Sequence, residues 1–235
     1  MPEVPPHLAQ MFLALVAAVA ALFVSAQSRL AGDANAARLR GTLAGALVVA
    51  VWLALPGVLA ARGALADFSR TPPPFVALML ALFAATLGLA FSPLGTRLVE
   101  RAPIAGLVGY QVFRVPLEYW LHAMHERGFF PVQMTWSGLN YDVLTGLSAA
   151  VVAVLAARGA APRALIAAWN ALGCALLAAI VTIAFLSAPT PLRAFANEPA
   201  NTLVAAFPYV WLPAFLVQAA LFGHVLVWRW LARSR

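Results

Sequence analysis

QVFRVPLEYWLHAMH, residues 111–125, sets a glutamine, an arginine, a glutamate and two histidines into an apolar segment. At 100° of helical turn per residue, Gln111, Arg114, Glu118, His122 and His125 share an arc of roughly 80°. The positions between them (Val112, Phe113, Val115, Leu117, Trp120 and Leu121) are apolar. A helix with one narrow polar stripe between apolar flanks predicts a membrane span that turns its polar groups toward protein or water. Polar and ionisable side chains at membrane depth are costly, so the stripe is the first place to look for function.

Composition points the same way. Of 235 residues, 63% are hydrophobic and 10% charged, with a mean hydropathy of +0.88. Soluble domains carry about 25% charge, so a soluble fold would leave most of this apolar surface uncovered. All fifteen basic residues are arginine, the usage of a GC-rich bacterial genome, and the formal charge is +7. The arginines cap apolar runs and form no patch, which suits membrane anchoring and argues against nucleic acid as a partner. Cys174 is the only cysteine, so no intramolecular disulfide and no cysteine-based metal site is expected. The N-terminus MPEVPPHLAQ lacks the basic segment of a secretory signal, and the first apolar run reads as a retained span.

Pro, Gly and Arg clusters divide the chain into seven apolar runs, about 8–30, 41–62, 72–92, 103–126, 139–158, 163–187 and 203–231. Each is long enough to cross a ~30 Å hydrocarbon core. The expected fold is an all-α transmembrane bundle, residues 1–235 forming one domain. Pro56-Gly57, Pro208 and Pro213 fall inside runs and are expected to kink them. With seven spans, Arg29, Arg38, Arg40, Arg97, Arg101, Arg158, Arg163, Arg229, Arg233 and Arg235 fall on one side. Only Arg62, Arg70, Arg127 and Arg193 fall on the other. Ten against four predicts the N-terminus outside and the C-terminus inside. A bacterial inner membrane is the expected location. No repeated motif relates the two halves.

Counting depth at 1.5 Å per residue predicts three layers of polar groups. Gln111, Asn170 and His224 lie near the inside, Arg114 and Glu118 in the middle, and His122, His125 and Asp142 outside, with His7 and Glu126 near them. Arg114 and Glu118, four apart, are expected to pair, either as a lock between helices or as a group that binds solute or moves a proton. His224 is expected to hydrogen-bond Asn170. Asn140 is placed to cap the fifth helix, with Asp142 in its first turn. Glu118, His122, His125 and Asp142 have spacings that suit a divalent metal such as zinc, against the plainer role of interfacial histidines bonded to carbonyls or water. The loop GFFPVQMTWSG, residues 128–138, either dips back over the stripe or forms an interfacial turn.

The segments FRVPLEYWLHAMHERGFFPVQMTWSGLNYDVLTGL and WNALG…LSAPTPLRAF…NEPANTLVAAFPYVWLPAF…GHVLVWR resemble a bacterial group of uncharacterised multi-span membrane proteins. The resemblance covers roughly residues 111–230. It implies an integral membrane protein, carries no activity, and points to Arg114, Glu118, Asn140, Asp142, Asn170 and His224.

Three functions compete. The first is a carrier or sensor for a small solute or proton, using the buried polar track. The second is an accessory or assembly subunit in which the polar groups only fix packing. The third is a membrane-embedded, metal-dependent hydrolase, which needs three convergent ligands and a base. The bilayer and a small solute or lipid are the expected partners.

Overall fold

Proline marks where most of the helices begin. The computed structural model describes residues 3–233, so Arg235 of the inner arginine set lies outside the described residues. Pro6 opens α1 (Pro6–Leu30), Pro74 opens α3 (Pro74–Phe91) and Pro93 opens α4 (Pro93–Arg101). Proline suits a first helical turn because its missing N–H has no partner to lose there. Ser92 adds a side-chain cap to α4, accepting from the backbone N–H groups of Leu94 and Gly95. The other helices are α2 (Asn35–Ala61), α5 (Ile104–Gly109), α6 (Arg114–His125), α7 (Val143–Ala157), α8 (Arg163–Leu186) and α9 (Val217–Arg233). No strand occurs among the described residues.

Five helices are long and apolar enough to cross a membrane: α1, α2, α3, α8, and α9 with the π-helical turn Leu212–Leu216 that leads into it. Their outer faces are apolar, as hydrocarbon-facing helices require. Leu39, Leu43, Leu47, Val51 and Leu55 form an exposed stripe along α2, with Leu47 65% exposed. The fourth and fifth apolar runs depart from the expected full-length helices. A 3-10 turn, Tyr110–Phe113, separates α5 from α6, and α7 is only 15 residues long. Pro116 explains the break. It has no N–H to give the Val112 carbonyl, and its ring crowds that carbonyl in a regular helix. Pro56, in contrast, lies inside a continuous α2, and Pro208 falls before the last helix.

At one end of the bundle, arginines tie several connections together. Arg101 donates to the Leu30 carbonyl (2.8 Å), Arg229 to the Ala90 carbonyl and to Thr96, and Arg163 to the Leu231 carbonyl. Arg233 pairs with Glu100 at 2.7 Å.

The opposite end is built around Trp120. Its ring lies 4.7 Å from Phe12 and 5.9 Å from Tyr209, and its indole N–H donates to the Leu8 carbonyl. Deeper, buried Thr86 donates to Gln218 at 2.7 Å and so joins α3 to α9. Two connections share one backbone design. After α6, a 3-10 turn (Val132–Met134) leads through a tight turn to α7; after α8, Leu203–Ala205 does the same before α9. The bonds Thr135 N–H to Val132 O and Ala206 N–H to Leu203 O hold equivalent places, at 3.0 and 2.9 Å. This recurrence lives in backbone hydrogen bonding, with different side chains in the two copies.

The α1–α2 hairpin depends on close backbone approach. A Cβ added at Gly41 would sit 2.5 Å from the Gln27 carbonyl oxygen and 2.7 Å from the Ala31 Cβ. Gly41→Val is therefore expected to destabilise the protein by about 1–3 kcal/mol, read as a lower melting temperature in detergent. An unchanged melting temperature would contradict this packing.

Candidate functional site

Arg114, at the first turn of α6, is 1% exposed and centres the polar cluster. Its Nε lies 3.1 Å from Asp142 Oδ2, and its Nη1 donates to His224 Nε2 at 3.1 Å. This corrects the expected pairing, because the arginine's carboxylate partner is Asp142 across the α6–α7 contact. Glu118, one turn further along α6, instead accepts from Asn140 Nδ2 through Oε2 at 2.6 Å.

Asn140 is the hinge between the two acids. Its Nδ2 also donates to the Met134 carbonyl, and its Oδ1 accepts the Asp142 backbone N–H. This corrects the expected cap: the N-cap of α7 is Asp142, without a side-chain cap bond, because Asn140 commits its Oδ1 to the Asp142 N–H ahead of the helix while its amide fixes Glu118. Thr145 donates to Asp142 Oδ1 at 3.3 Å. On the other side, His224 Nδ1 meets Asn170 Oδ1 at 2.8 Å, and Asn170 Nδ2 donates to the His224 backbone carbonyl. The expected His224–Asn170 hydrogen bond is therefore present, within a larger network.

These bonds assign the histidine tautomer. Arg114 can only donate, so His224 Nε2 must accept; Nδ1 then carries the hydrogen and donates to Asn170. The imidazole is neutral. The chain Glu118–Asn140–Asp142–Arg114–His224–Asn170 links α6, the preceding loop and start of α7, α9 and α8 within one buried cluster.

The three expected layers are accordingly redrawn. Asp142 and His224 meet at Arg114, so the middle, inner and one outer position form a single level. Counting depth along straight, full-length helices misplaced them, because the 110–113 turn and the late start of α7 shift both elements. Gln111 stands apart, donating from Nε2 to the Ala220 carbonyl at 3.0 Å.

His122 and His125 leave the cluster. The His122 ring stacks on Trp136 with 4.4 Å between centroids and lies 3.7 Å from Glu126, while His125 Nδ1 donates to the Phe130 carbonyl at 2.8 Å. His7 is exposed near the start of α1. The grouping of Glu118, His122, His125 and Asp142 as zinc ligands is not assembled. Among the described residues, no three His, Cys, Asp or Glu side chains are arranged to hold a metal ion. The reason is local: Asn140 and Arg114 engage the acids inside, while Trp136 and a backbone carbonyl engage the histidines near the surface.

Beside the cluster lies a cavity of about 500 Å³, within the roughly 300–1,000 Å³ of ordinary small-molecule sites. Arg114, Glu118 and Asp142 reach its wall; most of the remaining lining is apolar. Arg114 Nη2 is buried with no hydrogen-bond partner. Asn201, also lining the cavity, donates from Nδ2 to the Ala184 carbonyl and leaves Oδ1 unpartnered. Both residues are buried, and unsatisfied buried polar groups are uncommon in native proteins.

Two loops cover this end. Residues 128–138 fold over the stripe with Phe129, Phe130 and Met134 buried, and Gln133 donates to Ser187 at 2.8 Å. In the loop after α8, Arg193 binds Glu198 at 3.0 Å, and this hydrogen bond with the Ala200 N–H holds the Glu198 carboxyl below its ordinary value. Asn201 and Gln218 are not among the polar positions the sequence singles out. The available signal was a lone amide beside or within an apolar run.

No protein-family model, curated protein or solved structure matches the chain.

Arg114→Met leaves two buried acids without their cation and is expected to cost about 3–5 kcal/mol. Adding Asp142→Leu should recover part of that loss, measured by unfolding in detergent. A fully stable single variant would contradict the arrangement. Zinc content, measured on purified protein, is expected to be equal in wild type and a His122→Ala/His125→Ala variant. Zinc bound by wild type and lost in the variant would overturn the separation of these histidines.

Proposed function

We propose that the protein is a membrane carrier or sensor for a small solute, working at the cavity beside Arg114 and linked to a proton. The observation that carries this reading is that a buried arginine lining a cavity keeps one N–H group without a partner. A structural lock would gain from satisfying that donor, since a buried charge is tolerated best when its hydrogen bonds are complete. A solute acceptor would complete them.

The proton follows from charge counting. Two acids, Glu118 and Asp142, stand in the cluster with one guanidinium, which pairs with Asp142, and His224 is neutral by its hydrogen bonds. The cluster therefore holds one more acid than cation. A proton or a positively charged group balances it, and either changes the charge presented to a solute. An accessory subunit fixed by the same network needs neither the cavity nor the open donor, and a metal-dependent hydrolase needs convergent ligands.

In this reading all seven apolar runs cross the membrane, with α5, the 110–113 turn and α6 together making the fourth crossing. The arginine-tied end faces the cytoplasm of a bacterial inner membrane, because Arg29, Arg97, Arg101, Arg158, Arg163, Arg229 and Arg233 gather at its connections. The covered end with Arg127 and Arg193 faces outward. The bilayer and a small solute are the partners.

The test uses tryptophan fluorescence of the protein in liposomes, titrated through neutral pH. Wild type is expected to show a transition that Glu118→Gln lacks while keeping the wild-type melting temperature. A folded Glu118→Gln protein with the wild-type transition, or a wild type without one, would make the network structural and overturn the proposal.

A further inference from the structure

The cavity walls indicate what kind of molecule fits it. One wall comes from α3, through Phe75, Met79 and Phe83, and the facing wall from α8, through Leu177, Val181 and Phe185. These two helices pack mainly on other elements: α3 along α9 and α4, α8 along α9 and α7. Each wall also contributes a lining residue that reaches the outside of the bundle. On α3 this is Leu80, 65% exposed, and on α8 it is the exposed Thr182. The cavity thus opens between two of the long apolar helices, on the side that faces hydrocarbon when those helices cross a membrane.

The polar end is equally selective. Arg114 Nη2 offers a hydrogen bond that no protein group takes. Glu118 lines the cavity with Oε2 engaged by Asn140. A head group that fits must accept from the arginine and donate to the glutamate. An ionised carboxylate or phosphate would add negative charge where acids already outnumber the cation. A quaternary ammonium can neither accept from Arg114 nor donate to Glu118. An O–H group does both and carries no charge.

Resting on the binding-site reading above, we infer that the ligand is a lipid-like alcohol taken from the membrane core through the gap between α3 and α8. Its hydrocarbon body lies along the apolar walls, and its hydroxyl bridges Arg114 Nη2 and Glu118. The apolar walls exclude sugars and other strongly hydrated solutes, whose remaining hydroxyls would lose water without finding partners. The gap removes any need for the ligand to pass through water.

The probe is a long-chain alcohol bearing a photoreactive diazirine on its tail, applied to the full-length protein in lipid nanodiscs. Adducts are mapped by mass spectrometry. They are expected on α3 and α8 peptides and should fall when the unlabelled alcohol competes. A headless alkane probe of equal length should label about tenfold less, the factor that about 1.4 kcal/mol of net hydrogen bonding provides. Val181→Trp fills the cavity without touching the polar cluster and should abolish competable labelling while the protein keeps its melting temperature.

Equal labelling by the headless probe, or labelling unaffected by Val181→Trp in a folded protein, overturns the inference. So does preferential labelling by a fatty acid in its ionised form at alkaline pH. Competable labelling without any Glu118-dependent pH response upholds the ligand and sinks the proton-linked carrier or sensor. A pH response with no competable labelling does the reverse.

Discussion

One guanidinium held in the interior organises the polar cluster of this molecule. Taking Arg114 out of water is expensive, and the cost is offset only by groups drawn from several elements: Asp142 before α7 and His224 on α9, steadied by Asn140 and Asn170. Each partner constrains a different element, so the position of α6 relative to α7, α8 and α9 follows from satisfying one side chain. Gly173 and Gly146 permit this convergence. A Cβ at either position would press on the His224 ring or on Val115 and Arg114. Small residues here serve the approach of polar groups as much as helix packing.

The arrangement leaves the arginine one donor short and the cluster one acid in excess. A purely structural ion pair has no reason to keep both features, because each raises the cost of burial without adding to packing. The proposed binding site accounts for both, since an unsatisfied donor and a surplus acid are what a ligand would recognise. The covered end fits this division of labour. The two 3-10 connections lie at this end and each sends a buried side chain, Met134 or Val204, to the cavity wall. Irregular backbone at depth is tolerated where protein surrounds it, and here the buried Phe129, Phe130, Leu203 and Val204 do so.

Much of the site was legible in the stripe itself. Helical spacing alone put Gln111, Arg114 and Glu118 on one face, and all three are buried. The His224–Asn170 bond was also readable, as two lone polar residues in adjacent apolar runs. The choice of Asp142 as Arg114's partner was not, because i, i+4 geometry allows the Glu118 pair equally well and only tertiary packing decides. Pro116 announces the break before α6, and a straight helix drawn through it spreads the polar residues over too many depths. The cavity had no sequence signature. Its walls are Phe, Leu, Val and Ile like those of any apolar helix, and what makes a pocket is the helices that fail to meet.

Occupancy of that cavity separates a binding role for Arg114 from a structural one. The most direct measurement is a cryo-EM map of the protein in lipid nanodiscs. It should show non-protein density running from the gap between α3 and α8 to about 3 Å from Arg114 Nη2, the distance of a hydrogen bond. A map with α3 and α8 closed on each other, and with Nη2 bonded to a protein group, would contradict the binding role.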